Sequence, residues 1–461
     1  MSAPSIRVFL LIACISAPAF AGDVAVKLDS AAGFSVRNST GAIERLRVDE
    51  ATGNVSRNGA LFVHTTGAQS VFIGPLAGNA STTGVSNSAL GMYGLQLNTT
   101  GSHNAALGDG ALRYNTTGSF NSAVGSSALG RNGTGHDNSA VGNLALDKNT
   151  TGYANSALGS SALVSNTTGS SNTAVGLRAL QANTSGSENS ALGQYALQSN
   201  AAANFNTAVG FAALRVNAAQ GNSAFGAYAL GSNTTAISNS AFGSSSLLAN
   251  TTGAGNAAFG YYALRFNSTG VGNVALGAYA GRNQTTGSNN IYLANTGVAA
   301  ESGQIKIGTT GVHTQTTIAG ISGATSAGGV GVLVNANGVL GTTTSSARFK
   351  QDVRDMGDAS DVLMKLHPVT FHYRADVVGA EDAKTTQYGL IAEEVAKVAP
   401  ELVAPDLQGK PYSVKYHELP ALLLSKVQQQ ERVIREERRV IAEERAVIAA
   451  LSARVERLEA R

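Results

Sequence analysis

A 17-residue period runs through the middle of this chain and restricts its fold more than any other feature. Asn stands at positions 87, 104, 121, 138, 155, 172, 189, 206, 222, 239, 256, 273 and 290, and every step is 17 residues except 206 to 222, which is 16. The consensus reads Asn-Ser-Ala-(Leu/Val/Phe)-Gly-x-x-Ala-Leu-x-x-Asn-Thr-Thr-Gly-Ser-x. A fixed period of this length marks a repeat architecture, in which each coil completes the core of its neighbour. Three residues after the anchor Asn comes Leu, Val or Phe (Leu90, Val124, Phe225), and eight after it comes Leu, from Leu95 to Leu264. Stacked coils therefore place like side chains in ladders.

Helix is a poor solution for this repeat. Each copy holds two short apolar pairs, separated by Gly and by Asn-Thr-Thr-Gly. Gly costs a helix about 1 kcal/mol relative to Ala, and Asn and Thr favour turns. The expected fold class is mainly β, a parallel β-solenoid or β-roll over residues 70–293. Thirteen coils at about 4.8 Å give a rod on the order of 60 Å long. Neighbours on a strand point to opposite faces. One member of each apolar pair fills the coil, and the other faces outward in a stripe. A stripe that long calls for burial against another chain, and a trimer around the rod axis is the expected arrangement. The alternative is a wide single-chain solenoid with both faces internal. Asn98-Thr-Thr and its equivalents match a glycan acceptor pattern, but a turn role accounts for every copy without a glycan.

Composition supports a fibre rather than a globular enzyme. Of 461 residues 13% are charged, against about 25% in a typical globular chain, with 54 Gly and no Trp. Apolar residues reach 43% and recur regularly, so the chain is not disordered by composition. The net charge of +3 predicts no nucleic-acid partner. Nothing in the sequence calls for a cofactor or a metal. At the N-terminus Arg7, the run Val8–Ser16 and Ala19-Phe20-Ala21 read as a secretory signal over 1–21, which makes the protein exported, at the cell surface or extracellular. Leu11-Ile-Ala-Cys14 also resembles a lipoprotein signal, a less favoured anchor. No other stretch has the apolar length of a transmembrane span.

The flanks divide further. Residues 22–69 carry strand patterns at Phe34–Arg37 and from Leu46, a β-rich N-terminal cap. Residues 294–344 carry strand patterns at Gln304–Gly308 and Thr316–Ile321, then Gly331–Gly341, a β-rich neck. From Arg348 the composition changes to a small α/β unit over 345–418: Asp358–Leu366 is helical in pattern, and His367–Arg374 is a strand entered through Pro368. Gln387–Val398 is strand-to-helix ended by Pro400, and Lys410–Tyr416 is another strand. The span 419–461 carries Ile434, Ile441, Ile448 and Val455 at a spacing of seven, the pattern of a coiled coil. Glu437 and Glu444 weaken its second seam position, while Leu451 and Leu458 restore it.

Thr344–Val353, Leu366–Tyr373, Tyr388–Val395 with Pro400-Glu-Leu-Val403, Tyr416 and the terminal heptads occur in that order. Together they resemble the intramolecular chaperone auto-processing domain of phage tail spikes and tail fibres, the peptidase S74 family. The repeats are similar to the heads of trimeric adhesins. The resemblance implies a trimeric chaperone that aligns the preceding fibre and cuts itself off before a Ser, with a Lys five residues on. Here these are Ser345 and Lys350, with the cut after Thr344, and the family's usual Asp after the Ser is Ser346. On chemical grounds a Ser needs a base, and Lys serves when burial holds it neutral. Five extended residues span about 16 Å, so the segment has to turn for the two to meet. His367 and His372 are alternative bases.

The leading expectation is a secreted trimeric fibre, adhesin-like or tail-fibre-like, with a self-processing chaperone at its end. Its chemistry is at most one peptide cleavage per chain. Its partners are its own copies and a host-surface glycan or receptor. The alternative is a structural surface fibre with a permanent trimerisation unit. A glycan-cleaving enzyme is a third reading, disfavoured because the rod has no carboxylate pair.

Overall fold

The computed structural model of the chain describes residues 34–37, 44–49, 51–58, 60–321, 323 and 325–460. The expected signal segment 1–21, with Cys14, lies outside the described residues. The chain divides into two compact units, residues 1–317 and 318–461.

In the first unit one 19-stranded sheet runs through every rung. Its first four strands, Phe34–Arg37, Glu44–Val48, Val55–Arg57 and Ala60–His64, form an antiparallel meander. The last of them pairs antiparallel with Val71–Ile73. From there the remaining fifteen strands are parallel, one three-residue strand per coil, ending at Ile305–Ile307. Register is strict: Ser156, Ala157 and Leu158 sit on Thr173, Ala174 and Val175, and the pattern repeats along the stack. The protein is a parallel β-solenoid of 17-residue coils, as the period predicts.

Each coil is filled from five positions. The central Ala of the strand points inward, as Ala123 and Ala140 do, both fully buried. The second apolar pair breaks the expected alternation, since Ala128 and Leu129 are both fully buried. The physical reason is local: this pair lies in a turn, not a strand, and Leu129 has φ +51°. A left-handed residue rotates the Leu back into the coil at a conformational cost that its burial offsets.

The other two inward positions are Asn. Asn155 accepts from the backbone N–H of Asn172 at 3.1 Å and from its Nδ2–H at 3.1 Å, and donates its own Nδ2–H to Asn138 Oδ1 at 3.1 Å and Gly169 O at 2.9 Å. A second row runs beside it: Asn149 Nδ2 donates to Asn132 Oδ1 at 2.7 Å and to Gly152 O at 2.8 Å. Both rows are fully buried, so the Asn of the Asn-Thr-Thr segments is spent inside the rod and is not a glycan acceptor in the fold. The 16-residue coil loses its residue between the two rows, so Asn222 N still donates to Asn206 Oδ1 at 3.1 Å and Asn217 Nδ2 to Asn200 Oδ1 at 3.1 Å.

The row of Gly after each strand is imposed by close stacking. Gly125 has φ +131°, and a Cβ there would lie 2.5 Å from Gly142 O of the next coil. Both ends of the core are plugged by an aromatic ring. Phe72 and Tyr292 replace the strand Ala and are fully buried. Glycines make the room: a Cβ on Gly78 would lie 2.4 Å from the Phe72 ring, and one on Gly281 2.7 Å from the Tyr292 ring.

The outward face carries the predicted stripe. Leu90, Leu107, Val124, Val141, Leu158 and Leu192 are each 41–50% exposed, and Leu276 is 53% exposed. The first unit is therefore not a wide solenoid with both apolar rows internal.

In the second unit Val332–Val334 and Leu340–Thr342 form a hairpin. Thr316–Ile321, read from sequence as a strand, is irregular over 316–318 and a turn at 319–320 instead, because its Gly-rich surroundings supply no ladder partner. Gly357–Lys365 is a 3-10 helix where a helix is expected, and Leu419–Glu459 is one 41-residue helix. No helix among the described residues is long and apolar enough to cross a membrane.

The amide rows give a direct test. Asn155→Ala would leave the Asn172 N–H buried without a partner, at a cost of about 1–3 kcal/mol, while Gly169 O keeps its bond from Asn166 Nδ2 at 2.9 Å. We expect urea unfolding of the rod to lose about 1–3 kcal/mol for Asn155→Ala, and under about 1 kcal/mol for Thr99→Ala on the surface. Equal effects at the two positions would show that the amide rows do not hold the coils.

Candidate functional site

The small α/β unit is built around five buried residues, Val395, Ala399, Leu402, Val403 and Val414. Val362, Leu366, Leu390, Leu419 and Leu422 pack against them. The helix Ala392–Val398 presents Val395 and Ala399 to this core, and Pro400 stops it. Two hairpins flank it, Val369–Phe371 with Gln387–Gly389 and Val403–Pro405 with Pro411–Val414. The 3-10 helix is tied to the start of the long helix: Lys426 Nζ donates to Asp361 Oδ1 at 2.6 Å and Gln429 Nε2 to Gly357 O at 2.7 Å.

Tyr416 explains the Tyr388-Gly389-Leu390 segment. Its hydroxyl oxygen accepts from the Leu390 N–H at 2.9 Å. The same oxygen would stand 2.7 Å from a Cβ on residue 389, so only Gly fits there.

Upstream of this core lie Ser345 and Lys350. After the hairpin strand Leu340–Thr342, the chain enters a 3-10 turn at Ala347–Phe349. The Lys350 N–H donates to Ala347 O at 3.0 Å and closes the turn. This is the bend that the sequence argument requires. It brings Lys350 Nζ to 3.4 Å from Ser345 Oγ. Both residues are solvent-exposed, as are the neighbouring Phe349 and Val353, at 58% and 75%.

The two histidines considered as bases are engaged elsewhere. His367 Nδ1 lies 3.4 Å from Glu394 Oε2, and His372 Nε2 lies 3.2 Å from Thr386 Oγ1. Among the described residues no group of His, Cys, Asp and Glu is arranged to hold a metal ion.

Residues 345–404 match the peptidase S74 family model, described as chaperone of endosialidase. Over these residues the chain is similar to that family. The match starts at Ser345 itself, the residue that the turn sets beside Lys350. No curated protein and no solved structure matches the chain. The S74-like segment thus directly follows a β-solenoid and its hairpin.

The long helix completes this unit with Leu419 and Leu422 partly buried at its start and no side chain fully buried. Ile434, Ile441, Ile448 and Val455 are 42–62% exposed along it, and Leu451 and Leu458 are 55% and 63% exposed. Sequence reading located the pair and the heptads. It passed over the Gly389–Tyr416 contact, although the Gly between Tyr388 and Leu390 signals a close approach.

That contact predicts a rescue. Gly389→Ala should lower the melting temperature of the S74-like unit, because its Cβ meets the Tyr416 hydroxyl. Adding Tyr416→Phe removes that oxygen and should recover part of the loss, although Tyr416→Phe alone costs about 1 kcal/mol. Additive losses in calorimetry would show that the two residues do not meet as described.

Proposed function

We propose that the chain is an exported homotrimeric β-fibre of adhesin or tail-fibre type, whose C-terminal unit aligns three copies and then cuts itself off between Thr344 and Ser345. The observation that carries the reading is the Lys350 Nζ to Ser345 Oγ approach of 3.4 Å at the first residue of the matched segment.

The chemistry follows from that pair. Lys350 Nζ, when neutral, takes the Ser345 hydroxyl proton as Oγ attacks the Thr344 carbonyl carbon. The Thr344–Ser345 C–N bond breaks and the proton passes to the departing Ser345 amine. Thr344 is left as an ester on Ser345 Oγ, and water hydrolyses it. A lysine stays neutral only away from water, and Lys350 is exposed in the single chain. Phe349 and Val353, apolar and exposed beside the pair, offer a surface for a second copy to cover. Cutting would then wait for assembly.

Two uncovered apolar surfaces support three copies. One is the Ile434–Ile441–Ile448 seam of the long helix, whose Leu451 and Leu458 complete a heptad core only with partners. The other is the outward row of the solenoid. At about 70 Å² per rung that row offers about 1,000 Å² per chain, shared between two neighbours in a trimer, where a typical stable interface takes about 800 Å² per partner. A host glycan or receptor is the partner we assign to the assembled fibre. The alternative is a fibre that keeps its C-terminal unit, favoured by Ser346 standing where the family usually has Asp.

Intact mass under denaturing conditions tests cleavage. We expect the chain to yield fragments ending at Thr344 and beginning at Ser345, and Ser345→Ala to yield none. Lys350→Arg, which keeps its proton, should slow cutting by about 10²–10⁴-fold. An uncut parent chain would establish the permanently attached form. A second test targets assembly: Ile434, Ile441 and Ile448→Asp together should lower both the trimer fraction in native mass spectrometry and the extent of cutting. Undiminished cutting by monomers would separate the two events and reject the coupling.

A further inference from the structure

We propose that a block of three stacked phenylalanines fixes the register between neighbouring copies of the rod. The inference rests on the homotrimer reading and identifies the surface that aligns it.

The outward row is Leu or Val through Val209, becomes Phe225, Phe242 and Phe259, and returns to Leu at Leu276. The rings form one ladder, with centroids 4.6 Å apart at 6° and then 4.9 Å apart at 9°. The block follows immediately on the 16-residue coil, the one break in the period between Asn87 and Asn290. The second outward column changes just past the block, from mostly Ser or Thr up to Ser240, through Ala257, to Val274, Ile291 and Ile305. These three are 39%, 42% and 70% exposed.

A second copy of this chain is the occupant that fits. Neither outward column carries a charged side chain at any rung from Ser88 to Ile307, so nothing there would recognise a charged ligand. The row is straight and repeats at the rung spacing, and an identical row repeats at the same spacing. The row adds apolar area on the scale of a protein interface to that of the helix seam.

Over most of the rod a slip of one coil exchanges Leu for Val, a change of one methylene group across the interface. Such rows specify register weakly. At the block a one-coil slip sets Phe259 against Leu276 and Phe225 against Val209. That mismatches ring volume at both edges and removes one tier of matched rings. The block is therefore the place where slipped and aligned copies differ most.

Cross-linking reads the register directly. The full chain with Cys14→Ser is made in two differently tagged forms, one with Val141→Cys and one with Val175→Cys, co-expressed and mildly oxidised. In aligned copies these positions are two rungs apart, about 10 Å along the axis, beyond disulfide reach. A one-coil slip brings them to about 5 Å. We expect almost no 141–175 cross-link with the block intact. With Phe225, Phe242 and Phe259→Leu together, we expect that cross-link to rise about fivefold or more at unchanged trimer mass.

A second variant guards against misfolding. Val209→Phe with Phe259→Leu moves the block by one coil and keeps its composition. Placed on the Val141→Cys chain and mixed with parent Val175→Cys chains, it should itself generate 141–175 cross-links. Trimers that show no rise in either variant overturn the inference while leaving the trimer reading intact. A parent chain that forms no oligomer overturns the trimer reading instead.

Discussion

The buried amide rows are the constraint on which the rest of this structure depends. A coil whose strand is three residues long, as in Ser139–Val141, leaves most of its backbone in turns, where Leu146 N–H still reaches Ala162 O of the next coil but corner groups such as the Asn155 N–H and Gly152 O lack backbone hydrogen bonds. The two Asn per coil supply those bonds. Asn138 Oδ1 takes the next coil's N–H at 3.0 Å, and its Nδ2 reaches Gly152 O at 2.9 Å. Burying an unpaired amide would cost more than any single contact returns, so each Asn must sit directly over the last. That requirement fixes the period near 17. It also explains where the period relaxes, in the corner between Asn217 and Asn222, outside both rows.

With the interior committed to Ala, Leu and amides, the remaining freedom lies outward. The pleat forces the residue after the inward Ala to face out, and the repeat makes it apolar at every rung. Along one chain this produces a surface that water does not favour and that identical copies can cover. The same near-identity that builds the ladder removes information about which rung meets which. Departures from consensus are the only places where a copy is distinguishable along its length, and they include the aromatic plugs as well as the Phe block. Phe72 and Tyr292 close the core so that it ends without exposing its Ala and Leu rows.

Much of this was legible in the sequence, for a physical reason. The period states the stacking, and the chemistry retained at each position states what stacks. The second apolar pair was not legible as a turn. Alternation along a strand predicts that one of Ala128 and Leu129 faces out, and only the left-handed backbone of Leu129 turns both inward. The plugs were visible in principle, since Gly78 and Gly281 stand where the consensus has Leu, but a missing side chain is intelligible only with the ring that fills its space. In the C-terminal unit the five-residue spacing of Ser345 and Lys350 posed a geometric demand. The 3-10 turn at Ala347–Phe349 meets it. Thr316–Ile321 failed as a strand because a β-pattern without a partner to pair with has no ladder to join.

The exposure of the Ser–Lys pair links the two units chemically. A lysine that acts as a base must lose water, and neither Lys350 nor its neighbours Phe349 and Val353 are covered by their own chain. A self-cutting peptide that was active in the monomer would detach the aligning unit before it had aligned anything. On the proposed reading, a pair placed on an open turn beside two apolar side chains would owe its reactive environment to the assembly rather than to the chain. If cut as proposed, the rod would retain only what its own outward face specifies, and reversal would require realigning near-identical coils without the unit that first gathered them. The rod would then be held by the barrier to unfolding as much as by its equilibrium stability.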